Sequence, residues 1–266
     1  MSQRKRLSRT PNTPSVRRSG ASLSQEEDDD LSFTMPSTSQ VQRGLEKLTP
    51  IEVDRKTAEV VKYFLMKDQK KIPIRRADIF KHVLKDYKNI LPEIMKRVVQ
   101  TFDQIFGLKV VEIDSKNHVY ILVNKLASAE GAPPVSSPSS PKLGLLFVIL
   151  SVIFMKGGVV RENMIWNILK KLHADPGKRH EEFGDVKRVV TDEFVRQRYL
   201  EYTRIAHTDP VEHEFRWGQR ATAEVSQTKI LDFMGELHDR DPKSWTQQYR
   251  EAQSTPGPEA NTNSQR

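Results

Sequence analysis

Candidate catalytic residues are scattered through this sequence. Cysteine is absent, which excludes thiolate metal sites and a cysteine nucleophile, and the seven histidines show no spacing typical of metal ligands. His173 and His180 share one segment, but they do not form the i, i+4 pair of a helical metal site. The adjacent pair Glu181 and Glu182 is surrounded by basic side chains, which is typical of a solvated charged loop and not of an acid/base pair.

Sequence motifs of enzymes are missing as well. The chain has no GxxxxGK[ST] phosphate loop, no GxSxG nucleophile elbow and no GxGxxG dinucleotide loop. We therefore predict a protein that is not an enzyme and that uses no cofactor, no metal ion and no small-molecule substrate.

The apolar run LGLLFVILSVIFM at 143–155 is too short to span a bilayer, so we predict a buried core helix there and no membrane partner.

Positive charge is the main chemical signal of the sequence. The net charge is +8, and residues 1–30 contribute only +1 because they contain six basic and five acidic residues. Lys and Arg contacts to phosphates give affinity for nucleic acid without sequence specificity. We predict DNA contacts from eight basic residues of the second half of the chain: Lys170, Lys171, Lys178, Arg179, Lys187, Arg188, Arg196 and Arg198.

Two features complicate this DNA prediction. Between residues 173 and 190 four basic residues are balanced by four acidic ones, so the affinity depends on how folding separates the charges: Asp175, Glu181, Glu182 and Asp185. A second basic cluster, Lys67 to Arg76, is an alternative source of positive surface and is equally consistent with a solvated turn between two helices.

A protein contact is predicted where three large apolar residues follow one another, at Phe64, Leu65 and Met66. A helix buries only one stripe of its surface, so part of this group is expected to be exposed for a partner. The alternative is that all three residues belong to the core or to contacts within the chain.

The elements that position these residues form two modules. In the first module, residues 52–126, apolar residues recur at helical spacing in three stretches, at 60–65, 79–84 and 94–106. A helix stop at Gly107 then precedes two β-rich runs, at 108–113 and 119–123. Three helices and a hairpin are typical of a winged helix.

The second module, residues 143–221, repeats this order without repeating the sequence. We expect helices at 143–155 and 164–172, a long loop at 173–190, and then a helix, a turn and a strand within 194–218. Val195, Tyr199 and Tyr202 are expected to share one face of that last helix, because they lie at i, i+4 and i+7.

The remaining segments complete the predicted organisation. Residues 1–51 and 253–266 are expected to be disordered tails, residues 127–142 a linker rich in Pro and Ser, and residues 222–252 C-terminal helices. The predicted fold class is mainly α with small β hairpins, arranged as a tandem winged helix.

Three strings in the second module closely resemble the signature of the melanoma-antigen (MAGE) homology domain family: YLEY at 199–202, TDP at 208–210 and FRWG at 215–218. Within the family, KDQKKIPIRRADI at 67–79 is most similar to the MAGE-type subunits of the SMC five–six complex. The two leucines that the family presents to its RING partner fall here at Leu65 and Met66, and its Trp-Gly-Pro appears as Trp217, Gly218 and Gln219.

The resemblance implies a tandem winged-helix fold and a non-catalytic subunit of a chromosome complex in the nucleus. That subunit would bind and stimulate a RING-type ubiquitin ligase subunit, non-SMC element one. It would also contact the kleisin subunit, non-SMC element four, the SMC five–six heterodimer and double-stranded DNA, in recombinational DNA repair and chromosome maintenance. The alternatives are a free MAGE- or necdin-like ligase adaptor or transcriptional co-regulator and, third, a sequence-specific winged-helix transcription factor.

Overall fold

The computed structural model describes residues 36–85, 87–125 and 140–254. The first half of the described chain is built on four helices: α1 (Thr38–Leu45), α2 (Pro50–Asp68), α3 (Arg76–Ile79) and α4 (Leu91–Thr101). A π-helical turn at Phe80–Leu84 extends α3, and another at Phe102–Phe106 extends α4. A 3-10 turn at Lys88–Ile90 precedes α4. Three strands form an antiparallel sheet in the order β1-β3-β2: β1 (Ile74–Arg75), β2 (Leu108–Asp114) and β3 (Val119–Asn124).

Local sequence explains the boundaries of these elements. The Thr49 side chain accepts a hydrogen bond from the Glu52 backbone, and the Glu52 carboxylate accepts one from the Thr49 backbone, so a capping box begins α2. This capping, with the Thr49 backbone hydrogen bond first among its causes, lowers the pKa of the Glu52 carboxyl from its ordinary value. Before the hairpin of the first half, Gly107 adopts a left-handed conformation with φ 62° and stops the helical turn that follows α4.

The second half begins with two helices that flank a strand: α5 (Ser140–Met155), β4 (Val159–Arg161) and α6 (Glu162–Lys171). A small hairpin and two short helices follow: β5 (Arg179–His180), β6 (Gly184–Asp185), α7 (Val186–Arg188) and α8 (Phe194–Arg196). A π-helical turn joins α7 to α8 at Val189–Glu193. The second half ends in a longer hairpin and C-terminal helices: β7 (Leu200–Arg204), β8 (His213–Trp217), α9 (Gln219–Glu224), α10 (Gln227–His238) and α11 (Thr246–Ser254).

Both halves pair their strands in the same way. In the first half, β1 lies between α2 and α3 and pairs with β3, the second strand of the hairpin. In the second half, β4 lies between α5 and α6 and pairs with β8, again the second strand of the hairpin. The described chain is therefore mainly α-helical with small antiparallel sheets, as the sequence predicted.

The apolar run at 143–155 forms α5, which is a core helix. Its residues Leu146, Ile149 and Ile153 are buried against the rest of the second half. Phe154 packs on the other side with Ile230 from α10, so the C-terminal helices are attached to the same helix. In the residues that the structure describes, no helix is long and apolar enough to cross a membrane.

The prediction that Tyr199 and Tyr202 continue a helix was wrong. Helix α8 ends at Arg196, and Leu200–Arg204 is a strand in which Tyr202 pairs with Phe215 across the hairpin. Arg198 ends the helical path because it adopts a left-handed conformation with φ 65°. The spacing of Val195, Tyr199 and Tyr202 fitted a helix, but Leu200 and Tyr202 also fit the period-2 pattern of a strand. In the structure these residues form the strand β7, which pairs with β8.

Two further boundaries differ from the prediction. The expected loop at 173–190 contains the β5–β6 hairpin and α7, and the expected tail at 1–51 contains α1 and the first residues of α2. Helix α1 forms because Ser37 and Gln40 make a capping box and because Gly44, without a Cβ, lies against Ile90. Most of the predicted linker and the outer parts of both predicted tails lie outside the described residues.

Candidate partner and nucleic-acid surfaces

The predicted protein contact lies on the last turns of α2, where its three residues have different environments. Phe64 is fully buried and its ring packs against Phe102 and Tyr120, with centroids 5.8 and 6.4 Å apart. Leu65 is half-buried, and Met66 is 58% exposed. Phe64 therefore belongs to the core and is not available to a partner, whereas Leu65 and Met66 form a continuous accessible apolar pair.

The eight predicted DNA-contacting residues are all exposed. They follow one stretch of the second half, from the end of α6 through the β5–β6 hairpin and α7 to α8 and the turn after it. We call the whole set the basic surface: Lys170, Lys171, Lys178, Arg179, Lys187, Arg188, Arg196 and Arg198.

Two of the four acidic residues between 173 and 190 accept hydrogen bonds from the backbone. Asp175 accepts one from the Gly177 N–H at 2.9 Å. Asp185 accepts one from the Arg188 N–H at 3.0 Å and so caps α7. Their carboxylates are therefore directed at the chain itself, which leaves Glu181 and Glu182 as the exposed acids beside the cations of the hairpin.

The arginines at the α8 end of the basic surface have nearby acids. Asp192 lies 2.9 Å from the Arg196 guanidinium and 3.9 Å from that of Arg188. A hydrogen bond from the Asn117 side chain is the main cause that lowers the pKa of Asp114, and the positive charge of Arg198 adds to that lowering. Arg196 is therefore less available to a phosphate than Lys178 and Arg179 of the hairpin.

A buried junction joins the two halves, although no sequence pattern indicated it. Arg220 on α9 is fully buried. Its guanidinium donates to the Gln197 carbonyl at 2.9 Å and to Glu224 at 2.8 Å, both in the second half. It also donates to the Lys71 carbonyl at 3.2 Å and lies 3.8 Å from the Asp68 carboxylate, both in the first half. One arginine thus connects both halves, but a single arginine on a six-residue helix produces no periodicity in a sequence.

Neighbouring groups support the junction. The Tyr199 hydroxyl donates to Glu224 at 2.6 Å, and burial followed by the Glu224 charge raises the pKa of Tyr199, so the hydroxyl stays a donor. The Gln197 side chain donates to the Lys70 carbonyl at 3.3 Å. Gly218 is required for close approach, because a Cβ there would lie 2.3 Å from the Arg198 carbonyl oxygen.

The described chain offers two surfaces for contact. Among residues 36–85, 87–125 and 140–254, no group of three His, Cys, Asp or Glu side chains could hold a metal ion. What the described chain presents is an apolar pair at the end of α2 and a run of exposed cations. Both surfaces lie close in the chain to residues that contact Arg220. These residues are Lys71, which follows Met66, and Gln197, in the turn after α8.

The two halves share one strand order, and in each a helical turn leads into a hairpin. A family model gives the class of protein to which this fold belongs. The sequence model described as "MAGE homology domain" matches residues 60–228, more than half of the chain. The chain belongs to the MAGE homology domain family, as the YLEY, TDP and FRWG strings predicted.

Particular relatives agree with the resemblance of residues 67–79. The chain is 48% identical over 202 residues to the human "Non-structural maintenance of chromosomes element 3 homolog", covering 76% of this chain and 66% of the relative. The mouse protein of that name is 46% identical over 205 residues, covering 77% and 74%. Human "Melanoma-associated antigen D2" is 46% identical over 194 residues, covering 73% of this chain and 32% of the relative.

A solved structure is similar as well. A chain of the "Nse1-Nse3-Nse4 complex" superposes with a TM-score of 0.75 at 53% sequence identity, covering 78% of this chain and all of that one. The expected similarity to the MAGE-type non-SMC subunit is therefore confirmed. The chain spans just under two thirds of the length of the human relative.

Proposed function

We propose that this chain is the MAGE-type, non-catalytic subunit of the SMC five–six complex. The observation that carries the proposal is its 53% identity, over the whole matched chain, to a protein solved in the "Nse1-Nse3-Nse4 complex". By this proposal it bridges the RING-type subunit, non-SMC element one, and the kleisin subunit, non-SMC element four. It works with the SMC five–six heterodimer on chromosomes in the nucleus, in recombinational DNA repair.

The architecture proposed for this role is a tandem winged helix. Each half has helical elements followed by a hairpin, and in each half an earlier short strand pairs with the second hairpin strand. That order is typical of winged-helix modules. The Arg220 junction would hold the two modules in one arrangement, since its hydrogen bonds reach both.

The RING-type subunit is proposed to bind Leu65 and Met66. Apolar residues that are exposed in succession are costly to leave in water, and they are typical of partner surfaces. Because these residues lie on α2, a long helix anchored in the core by Phe64, they present a preorganised contact. Stimulation of the ligase would follow from this contact, with the chain itself supplying no catalytic group.

DNA contact is proposed through the phosphate backbone, not through the bases. In the proposed first winged-helix module the third helix is α4, and its Arg97 is held by Glu93 at 3.0 Å and Asp54 at 2.8 Å, so this arginine is not free to read a base edge. The basic surface of the second half has exposed cations on a hairpin and a short helix, which suit phosphate contacts. Sequence-specific transcription factor activity is therefore disfavoured.

Charge reversal tests the DNA proposal. Changing Lys178, Arg179, Lys187 and Arg188 to Glu is expected to weaken duplex binding at least about tenfold, because fewer counterions are released when fewer phosphates are neutralised. The slope of log K against log salt should become shallower by about 0.9 for each phosphate that the variant no longer neutralises. Fluorescence anisotropy with a labelled duplex of about 30 base pairs, at salt concentrations from about 50 to about 200 mM, measures both quantities.

A matched control keeps the change in net charge constant. Four exposed basic residues of the first half can be reversed instead: Arg43, Lys47, Arg55 and Lys62. This control should reduce affinity much less and leave most of the salt slope in place. Equal reductions in the two variants would mean that only net charge matters, and an unchanged affinity in the first variant would refute the assigned surface.

The second candidate function is a free ligase adaptor or transcriptional co-regulator, and the 46% identity to "Melanoma-associated antigen D2" favours keeping it. Affinity purification of the tagged full chain from nuclei separates the two. We expect SMC, RING and kleisin subunits to be recovered together in near-equal amounts, resistant to nuclease treatment. Recovery of a RING ligase without SMC subunits would favour the adaptor instead.

A further inference from the structure

His180 has an unusual set of contacts at the tip of the β5–β6 hairpin. Its Nδ1 accepts hydrogen bonds from the backbone N–H groups of Glu182, at 3.1 Å, and Phe183, at 3.4 Å. The ring also stacks on Phe183, with centroids 4.3 Å apart and an angle of 21° between the ring planes. Because Nδ1 accepts both bonds, the neutral ring carries its proton on Nε2.

The same backbone pattern occurs elsewhere in the chain with a carboxylate as the acceptor. Asp114, at the end of β2, accepts from the Lys116 N–H at 2.9 Å and the Asn117 N–H at 3.1 Å. These are again the residues two and three positions further along, as in an Asx turn. His180 therefore does with a ring nitrogen what Asp or Asn commonly does in a turn, and it does so without adding a negative charge.

The hairpin needs such support because it has only two residue pairs, Arg179 with Asp185 and His180 with Gly184. A two-stranded hairpin of this size has little stability of its own. Lys178 and Arg179 immediately precede His180, and the cap from Asp185 begins the helix that carries the next cations. The orientation of the hairpin cations thus depends on the turn that His180 closes.

We propose that His180 is a positioning residue for phosphate contact, with its Nδ1 lone pair holding the turn that presents Lys178 and Arg179 to the DNA backbone. The inference rests on the proposed DNA-binding function. A neutral acceptor suits this position, because a carboxylate there would add a third acid beside Glu181 and Glu182 and repel the phosphates.

Two substitutions separate the acceptor from the ring. His180→Phe keeps a ring to stack on Phe183 but removes the acceptor, whereas His180→Asn keeps an acceptor but removes the ring. We expect the Phe variant to bind the duplex about tenfold more weakly, with a salt slope shallower by about 0.9. The Asn variant should stay within about twofold of the wild type, because the turn keeps its acceptor. Anisotropy titrations of the full chain over the same salt range, at a pH that keeps imidazole neutral, measure this difference.

Two readouts keep the result interpretable. Both variants should unfold at the same temperature as the wild type, because the hairpin is peripheral, and amide hydrogen exchange at Glu182 and Phe183 should accelerate only in the Phe variant. The inference is overturned if both variants bind like the wild type while the charge-reversed hairpin does not, or if both bind equally weakly. If the charge-reversed protein itself binds normally, the DNA-binding proposal fails and this inference falls with it.

Discussion

Replacing Arg220 with Met is expected to lower the free energy of unfolding by about 3 kcal/mol, because removing one partner of a buried ion pair leaves the other uncompensated. Met fills much of the side-chain volume but cannot donate to Gln197, Glu224 or Lys71. Glu224 would keep the Tyr199 hydroxyl as a donor but would have no cation beside it. Urea unfolding followed by circular dichroism measures the change.

Arg216→Met is the matched control for Arg220→Met. Arg216 also pairs with a glutamate, Glu214, at 2.9 Å, but its side chain is 49% exposed. Exposed pairs contribute little, so this change should cost less than about 1 kcal/mol. If the two variants unfolded with the same free energy, the buried junction would have no special contribution to stability.

A second substitution tests the cause of the Arg220 effect. Glu224→Gln removes the negative charge but still accepts from the Tyr199 hydroxyl. Combined with Arg220→Met, it should recover about 1 kcal/mol relative to Arg220→Met alone, because residue 224 then carries no unpaired charge. Strict additivity of the two single changes would point to poorer packing and not to an uncompensated carboxylate.

Local patterns predicted the elements that have one dominant period. Helices α2 and α4 and the hairpin of the first half follow from apolar spacing together with stop residues such as Gly107, whereas the core helix α5 follows from the length of its unbroken apolar run. The second hairpin was harder, because Tyr199 to Tyr202 fits both a helix and a strand. Arg198 decides between the two because it adopts a left-handed conformation. That conformation is uncommon for residues other than glycine, and no sequence pattern predicted it here.

Composition alone was enough to locate the basic surface and the apolar run at 64–66, but not to give their detailed contacts. Charge patterning found cations that are exposed throughout, but it did not reveal that Asp192 lies beside Arg196. The apolar run at 64–66 was found, yet its division into core and surface depends on where Phe102 and Tyr120 meet α2. Contacts between residues distant in the chain decide the division at 64–66, whereas the Asp192–Arg196 pair forms across one helical turn.

The Arg220 junction gives the two candidate surfaces a physical connection. On one side, Asp68 and Lys71 follow Met66 closely in the chain, and on the other side Gln197 immediately follows Arg196. These contacts join the stretch that follows the apolar pair to the stretch that ends the basic surface.

Changing Leu65 and Met66 to Asp is expected to weaken binding of the RING-type subunit by at least about 100-fold, because two central apolar side chains are replaced by charges that the interface would have to desolvate. Leu65 is half-buried, so the double variant is also somewhat less stable. Met66→Asp alone avoids that complication, since Met66 is 58% exposed. It should still reduce affinity about tenfold. Isothermal titration calorimetry with the purified RING-type subunit measures both variants.

The control for this experiment carries the same two charges on the second half. Leu172 and Val211 are 54% and 50% exposed, so Leu172→Asp with Val211→Asp alters comparable apolar surface away from α2. This variant should bind the RING-type subunit normally. Normal binding by Met66→Asp and by the Leu65, Met66 double variant would remove the end of α2 as the contact. An equally weakened control would show that added negative charge, and not the apolar pair, governs the association.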